Sequence, residues 1–410
     1  MWNPISEDAG AVDFWAPKPN GIWRKVLSPL RKFYLKKYYA VKEVAVVGAE
    51  HLGVIGEKDG VLFTPNHSHD SDPHVMMAVA KELNQQFYFM AAWQIFKGHR
   101  GIDGFVLQRM GAFSVDREGC DRRAMRQAVE LMTKGRWLVV FPEGEIYHTN
   151  ERLTPLREGV AFMAGTAQKD LEKEGKGRKV WIVPTAIRYR YLKDVTPKLE
   201  EAMDELESHI TMKSTRGKPL ADRIVRFGDT MLSIKEKEQT GKAGHGELAG
   251  RIKSLVNAIL DRHEMKWLNK TLGDSSVSMR VKGLRQNLLE IWLDEKSDEE
   301  RRRFAKDALD DVQLVMQLYS YPGDYVLENP TVERMAETIE KFEEDVFGGV
   351  VRPKGERAAN VVIGAPLDVL AETKGMRPRT AAMELTGKLE RVIKGLMKEA
   401  ASTDKRVVGA

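Results

Sequence analysis

Between residues 41 and 193, short β-branched runs alternate with amphipathic stretches. This alternation constrains the fold more than any other feature of the chain. VAVVGAEHL, GVLFTPNH, GAFSVDR, WLVVFPEG and VWIVPTAIRY read as strands bounded by glycine and proline. VMMAVAKEL reads as a helix, as does DRRAMRQAVELMTKG, which Gly135 stops; FYFMAAWQIF reads as a strand running into a helix. Strands and helices taken in turn predict an α/β layer, although the strand order is not legible in one sequence.

Past Asp194 the strand signal stops. Charged amphipathic stretches follow at about 218–238, 245–269, 279–294 and 299–319, with a further helix from Asn329-Pro330 to Gly348-Gly349. NVVIGAPLDV, residues 360–369, returns to strand character, and a last helix is expected over about 379–400. The chain therefore divides into an N-terminal segment (1–40), an α/β domain (41–194), a large all-helical insertion (195–358), and a return strand with a C-terminal helix (359–410). No repeat of fixed period is evident. At 410 residues the chain is too long for one ordinary core.

Residues 1–20, with Pro4, Pro17 and Pro19, read as loosely ordered. The next twenty hold Arg24, Lys25, Arg31, Lys32, Lys36 and Lys37 and no acidic residue, while Trp23, Val26, Leu27, Leu30 and Tyr34 recur at helical spacing. Pro29 is expected to split this stretch into two short helices, with Ser28 capping the second. A basic helix with an aromatic face can lie in a lipid headgroup layer. The alternative is a helix packed on the body with solvated lysines. No window reaches eighteen consecutive apolar residues, so any membrane contact is expected to be peripheral. The start, MWNPISEDAGAVDF, lacks the basic and apolar regions of a signal peptide. The lone Cys120 excludes a disulfide framework and a multi-thiolate zinc site, and fits a reducing compartment. The expected location is cytoplasmic, at a membrane surface. A net charge of +5 with no motif behind it gives no reason to expect nucleic-acid binding.

The densest polar cluster is Asn66-His67-Ser68-His69-Asp70-Ser71-Asp72-Pro73-His74, directly after an apolar strand and before an apolar helix. A turn entering a helix can bring His67 and Asp72 into hydrogen-bond contact. The carboxylate would then fix the imidazole tautomer and leave the other ring nitrogen free to take a proton. Three more segments end or interrupt strands with chemically distinctive groups: Gly111 to Arg117, Phe141-Pro142-Glu143-Gly144, and Val183-Pro184-Thr185. The guanidinium of Arg117 suits a phosphate.

These four blocks, in this order, resemble the glycerolipid acyltransferase family, which contains the glycerol-3-phosphate and lysophosphatidic acid acyltransferases. Its NHxxxxD block is Asn66-His67 through Asp72, and its glycine-to-arginine block is Gly111 and Arg117. Its FPEG block is Phe141 to Gly144, and its proline-containing strand is the one around Pro184. PLREGVAFMA, residues 155–164, and NVVIGAPLDV add to the likeness. The resemblance implies an α/β fold with a mixed sheet flanked by helices, and an enzyme of lipid and phospholipid metabolism. His67 would deprotonate an acceptor hydroxyl and Asp72 would orient it. Asn66, Gly111, Arg117, Glu143, Gly144 and Pro184 would line the substrate site, with Arg117 on an acceptor phosphate. Acyl-CoA or acyl carrier protein would be co-substrate, with no metal and no other cofactor.

Two features depart from the family pattern. FPEG usually continues Thr-Arg-Ser, but here it continues Glu145-Ile146-Tyr147, so an expected cation is missing, with Arg152 or Arg157 as possible substitutes. The helical segment 195–358 is the other. Two rival functions stay open: a non-catalytic peripheral lipid-binding protein of the same fold, and a metallohydrolase. The HxHxDH metal pattern would need Asp at 71 and His at 72, where the chain has Ser71 and Asp72. The oligomeric state is not legible.

Overall fold

The structure, a computed structural model, describes residues 14–117, 121–210, 213–294 and 296–403. Cys120 and the side chains of residues 24–31 lie outside the described set. The described residues form two compact units: Val195–Val351, and residues 14–194 together with 352–403.

The second of these units opens with α1 (Gly21–Tyr38), β1 (Val41–Val47), β2 (Gly60–Pro65), α2 (Asp72–Glu82), β3 (Phe87–Ala92) and α3 (Ile102–Met110). It continues with β4 (Ala112–Val115), α4 (Arg122–Thr133), β5 (Trp137–Val139), α5 (Gly159–Glu174) and β6 (Val180–Tyr191). The helical unit follows as α6 (Thr196–His209), α7 (Leu220–Thr240), α8 (Leu248–Leu268), α9 (Val277–Leu293), α10 (Glu299–Tyr319), α11 (Tyr325–Glu328) and α12 (Val332–Phe347). The chain returns as β7 (Arg357–Ile363), β8 (Leu367–Asp368), α13 (Val369–Thr373) and α14 (Pro378–Thr403).

The sheet order is β1-β7-β6-β2-β5-β3-β4, with β8 also on β6. From β6 to β4 all neighbours are parallel, while β7 and β8 run antiparallel to β6, so the sheet is mixed. Side chains alternate between two cores, as a period of two requires. Leu62, Leu138 and Ile182 face α4, α5 and α14, while Val61, Phe63, Val139 and Val183 face α2 and Phe96. Every residue of β2 is buried, which is why its centre, Val61-Leu62-Phe63, reads as an apolar run. Because β2, β5 and β4 are parallel, the loops after them leave the same edge of the sheet. That edge is where open α/β sheets hold their ligands.

Two expectations are corrected. The stretch 21–38 is one helix, not two: Asn20, not Ser28, caps it by accepting from the N–H groups of Ile22 and Trp23. Pro29 removes one helical N–H, a local loss that the flanking turns outweigh. Residues 14–20 are also not loose. Trp15 N–H donates to Ser114 Oγ and Lys18 N–H to Gln108 O, and the Trp15 ring packs 6.0 Å from Phe96.

The helical unit contains a repeat that sequence inspection does not reveal. A glutamate near the end of one helix (Glu207, Glu236, Glu264) accepts from a backbone N–H eight residues on, at Thr215, Gly244 and Leu272. The same carboxylate accepts from Nε and Nη2 of the arginine in the fourth position of the next helix, Arg223, Arg251 or Arg280. A second acid, Asp204, Asp229 or Asp261, completes each set. The helix starts at Leu220, Leu248 and Val277 carry this period. It ends at α10, where Arg302 Nε donates to Trp292 O instead.

Candidate active site

The loop between β2 and α2 is closed by backbone bonds from Asp72 N–H to His69 O (3.0 Å) and from Val75 N–H to Ser71 O (2.9 Å). This turn swings the Asp72 carboxylate under the His67 ring, with Nδ1 and Oδ2 2.9 Å apart. The Asp72 side chain is wholly buried and that of His67 is 13% exposed. The imidazole stacks on Phe141, centroids 4.0 Å apart at 20°. Nδ1 therefore donates to Asp72, and Nε2 carries the lone pair.

Asp72 is held in turn by its other contacts. Its Oδ2 also accepts from His69 N–H (2.9 Å), and its Oδ1 from the Tyr189 hydroxyl (2.6 Å). Tyr189 is reached by Ser71 Oγ at 2.8 Å, and Ser71 Oγ by His69 Nδ1 at 2.9 Å. Behind them, Arg357 Nη2 donates to His69 Nε2 (3.0 Å) and to Tyr39 O (2.9 Å). Ser71 N–H also points at His69 Nδ1 (3.1 Å), so two donors compete for the ring's one lone pair; the charged guanidinium makes the stronger bond. His69 Nδ1–H then donates to Ser71, Ser71 to Tyr189, and Tyr189 to Asp72. Burial, then the neighbouring Arg357 charge, hold His69 well below the ordinary imidazole range, which keeps it neutral. Burial, then the Asp72 charge, push the Tyr189 phenol well above its usual range, so it stays a donor.

Tyr189→Phe deletes one bond to a buried carboxylate. Such bonds contribute about 1.5–3 kcal/mol, so turnover should fall roughly 10- to 100-fold with little change in KM. Steady-state kinetics on a folded variant check this, and an unchanged kcat would remove Tyr189 from the site.

The other expected site residues separate into groups. Asn66 is buried, and its amide exchanges two hydrogen bonds with the backbone of Ile187 (3.0 and 2.7 Å). Asn150 does the same with Tyr189 (2.7 and 2.8 Å). The β2–β6 ladder ends at Pro65 and Thr185, and the two amides extend it by standing in for peptide groups. Asn66 thus anchors the loop that carries His67. Gly111 stands at the far end of β4 from Arg117, closing α3 with φ 97°, where a Cβ would lie 2.8 Å from Phe87 O. It is a backbone requirement and does not reach the site. Pro184 is buried in β6 opposite Thr64, and its carbonyl accepts from Gly364 N–H at 2.8 Å.

Glu143, Gly144 and Arg117 do meet beside His67. Glu143 Oε1 accepts from His67 N–H (2.6 Å), and Oε2 accepts from both N–H (3.0 Å) and hydroxyl of Thr154. Gly144 has φ 78°, and a Cβ there would fall 2.5 Å from Arg157 Nε. Arg117 Nη1 donates to Gly144 O (3.0 Å) and Glu145 Oε2 (2.9 Å). His67 and Arg117 therefore flank one turn. His74 lies apart, 5.3 Å and 5.6 Å from the Tyr34 and Tyr39 rings. Among the described residues, no three or more His, Cys, Asp or Glu side chains are grouped to hold a metal ion.

Burial raises the Glu143 carboxyl from 4.5 to about 7, against the bonds from Thr154 and His67 that pull it down. A carboxyl raised on folding binds more protons in the folded state than in the unfolded one. Stability is therefore fully present below about pH 4.5 and is lost as pH rises through about 7. The loss is on the order of 3 kcal/mol. Melting curves of the wild type against Glu143→Gln should show the wild type losing ground between about pH 4.5 and 7. A constant difference would mean that the carboxyl titrates normally.

The fold and site define an α/β protein with a hydrogen-bonded His–Asp pair at the carboxyl ends of parallel strands. Residues 43–188 match the model of the family described as Acyltransferase. The match supports an acyltransferase enzyme. It ends just before Tyr189 and long before Arg357, which complete the support of Asp72. No curated protein matches the chain. Among the described residues, no helix is long and apolar enough to cross a membrane.

Proposed function

We propose that this protein moves a fatty acyl group from acyl-CoA or acyl carrier protein to a hydroxyl of a glycerolipid or lysolipid acceptor. The observation that carries this reading is the bond between His67 Nδ1 and the buried Asp72, which presents Nε2 as a base. Nε2 takes the hydroxyl proton as the alcohol oxygen attacks the thioester carbon. The C–O bond forms, the C–S bond breaks, and the proton passes from His67 to the leaving sulfur. The protein forms no covalent acyl intermediate on this route. Arg117 and the turn Phe141–Glu145 sit beside His67, where the acceptor would lie.

Mass spectrometry of products from acyl-CoA offered with glycerol phosphates, lysophospholipids and other lysolipids tests the reading. A new ester in step with thiol release is expected. Thiol release with only free fatty acid would point to a hydrolase, and no reaction to a binding protein.

The acceptor's lipid nature fits a face on α1. Ile22, Phe33 and Tyr38 are exposed, and Lys37 Nζ lies 5.2 Å and 5.7 Å from the Phe33 and Tyr38 ring centroids. Lys32 and Lys36 are exposed beside them, and Trp23 meets the exposed Phe105 edge-on at 5.5 Å. Such a face suits an anionic membrane surface. Changing Lys32, Lys36 and Lys37 to Glu should release the protein from sedimenting anionic vesicles. Unaltered sedimentation would return α1 to a purely structural role.

A further inference from the structure

Two guanidinium groups border the turn that carries Glu143, and a carboxylate lies between them. Arg117 Nη1 is 2.9 Å from Glu145 Oε2, and Arg157 Nη2 is 3.7 Å from Glu145 Oε1. The backbone fixes this arrangement. Arg157 N–H donates to Pro142 O at 2.8 Å, and its side chain crosses Gly144 where any Cβ would collide with it. The three charged side chains are partly open to solvent, at 23%, 33% and 19% for Arg117, Arg157 and Glu145. Glu145 lies on the turn whose Glu143 accepts the His67 N–H, and the two arginines border that turn.

A phosphomonoester seeking these arginines would meet Glu145 already there. It would have to break the Arg117–Glu145 bond and then sit against a like charge. The position after FPEG, where the family pattern has a threonine followed by a cation, thus carries a competing anion.

We propose that Glu145 sets acceptor choice by occupying the phosphate position, so that the preferred acceptor is an uncharged lipid alcohol of the monoacylglycerol class. This rests on the acyltransferase reading above. The test compares kcat/KM for 1-monooleoylglycerol and 1-oleoyl-lysophosphatidic acid with oleoyl-CoA, in the wild type and in Glu145→Gln. The wild type should favour the uncharged acceptor at least tenfold, and Glu145→Gln should shift the ratio at least tenfold toward the phosphate. A wild-type preference for lysophosphatidic acid, or a ratio unmoved by Glu145→Gln, would overturn the proposal.

A second measurement does not depend on turnover. Calorimetric titration with inorganic phosphate should show at least tenfold tighter binding to Glu145→Gln than to the wild type, and equal affinities would overturn the proposal. If neither acceptor is acylated by the wild type, the proposed preference fails, the wider product panel decides the acyltransferase reading, and the phosphate titration still decides whether Glu145 excludes the anion.

Discussion

Replacing His67 with alanine should lower acyl transfer on the order of 10²- to 10⁴-fold, the range that a positioned general base contributes. The fold should survive. His67 meets the rest of the protein through its ring on Phe141, its Nδ1 on Asp72 and its backbone N–H on Glu143, and only the first two are lost. Asp72→Asn should fall in the same range for a different reason. An amide in place of the carboxylate no longer fixes Nδ1–H, and the Tyr189 and His69 donors lose their charged partner. Rates on both variants, with melting curves beside them, check this. Wild-type activity in His67→Ala would mean that another group takes the proton.

The largest stability effect is expected in the helical unit. Arg280→Ala would leave the Glu264 carboxylate, 0% exposed, with the Leu272 N–H as its one remaining partner among the described residues. Removing one partner of a buried ion pair costs about 3–5 kcal/mol, because the remaining charge stays desolvated. Glu264→Met with Arg280→Met removes both charges and should recover most of that loss, since apolar replacement of a whole buried pair is often close to neutral. Denaturation of the full chain by urea, followed by circular dichroism, reads both variants. If Arg280→Ala unfolds at the wild-type midpoint, or the double variant is the worse of the two, the three Glu–Arg sets do not hold the helices as described.

The legible part of the site is the part whose residues are close in sequence. The carboxylate of Asp72 returns to His67 within one turn, and strand ends announce Phe141–Gly144 and Arg117. Tyr189 and Arg357 gave no such signal. Tyr189 meets Asp72 across 117 positions and reads as an ordinary strand residue, while Arg357 meets His69 across 288 and reads as the end of the helical insertion. Asn150 was missed because an amide that substitutes for a strand has no pattern of its own. Strand positions were legible because β2, β5 and β6 are buried on both faces, but their order depends on tertiary packing. The helical repeat hid for another reason. It rests on buried charges within helices whose remaining residues differ, and charged residues read as solvated surface. At Pro29 the local rule for helix breaking gave way to the helical tendency of its neighbours.

On this mechanism Asp72 keeps the proton on Nδ1 of His67 and leaves Nε2 as the base. Nitrogen NMR of ¹⁵N-histidine-labelled protein, at a pH where the ring is neutral, reads this directly. The His67 signal should show a protonated Nδ1 and a bare Nε2 in the wild type, and a loss of that preference in Asp72→Asn. A wild-type ring with its proton on Nε2 would contradict the account.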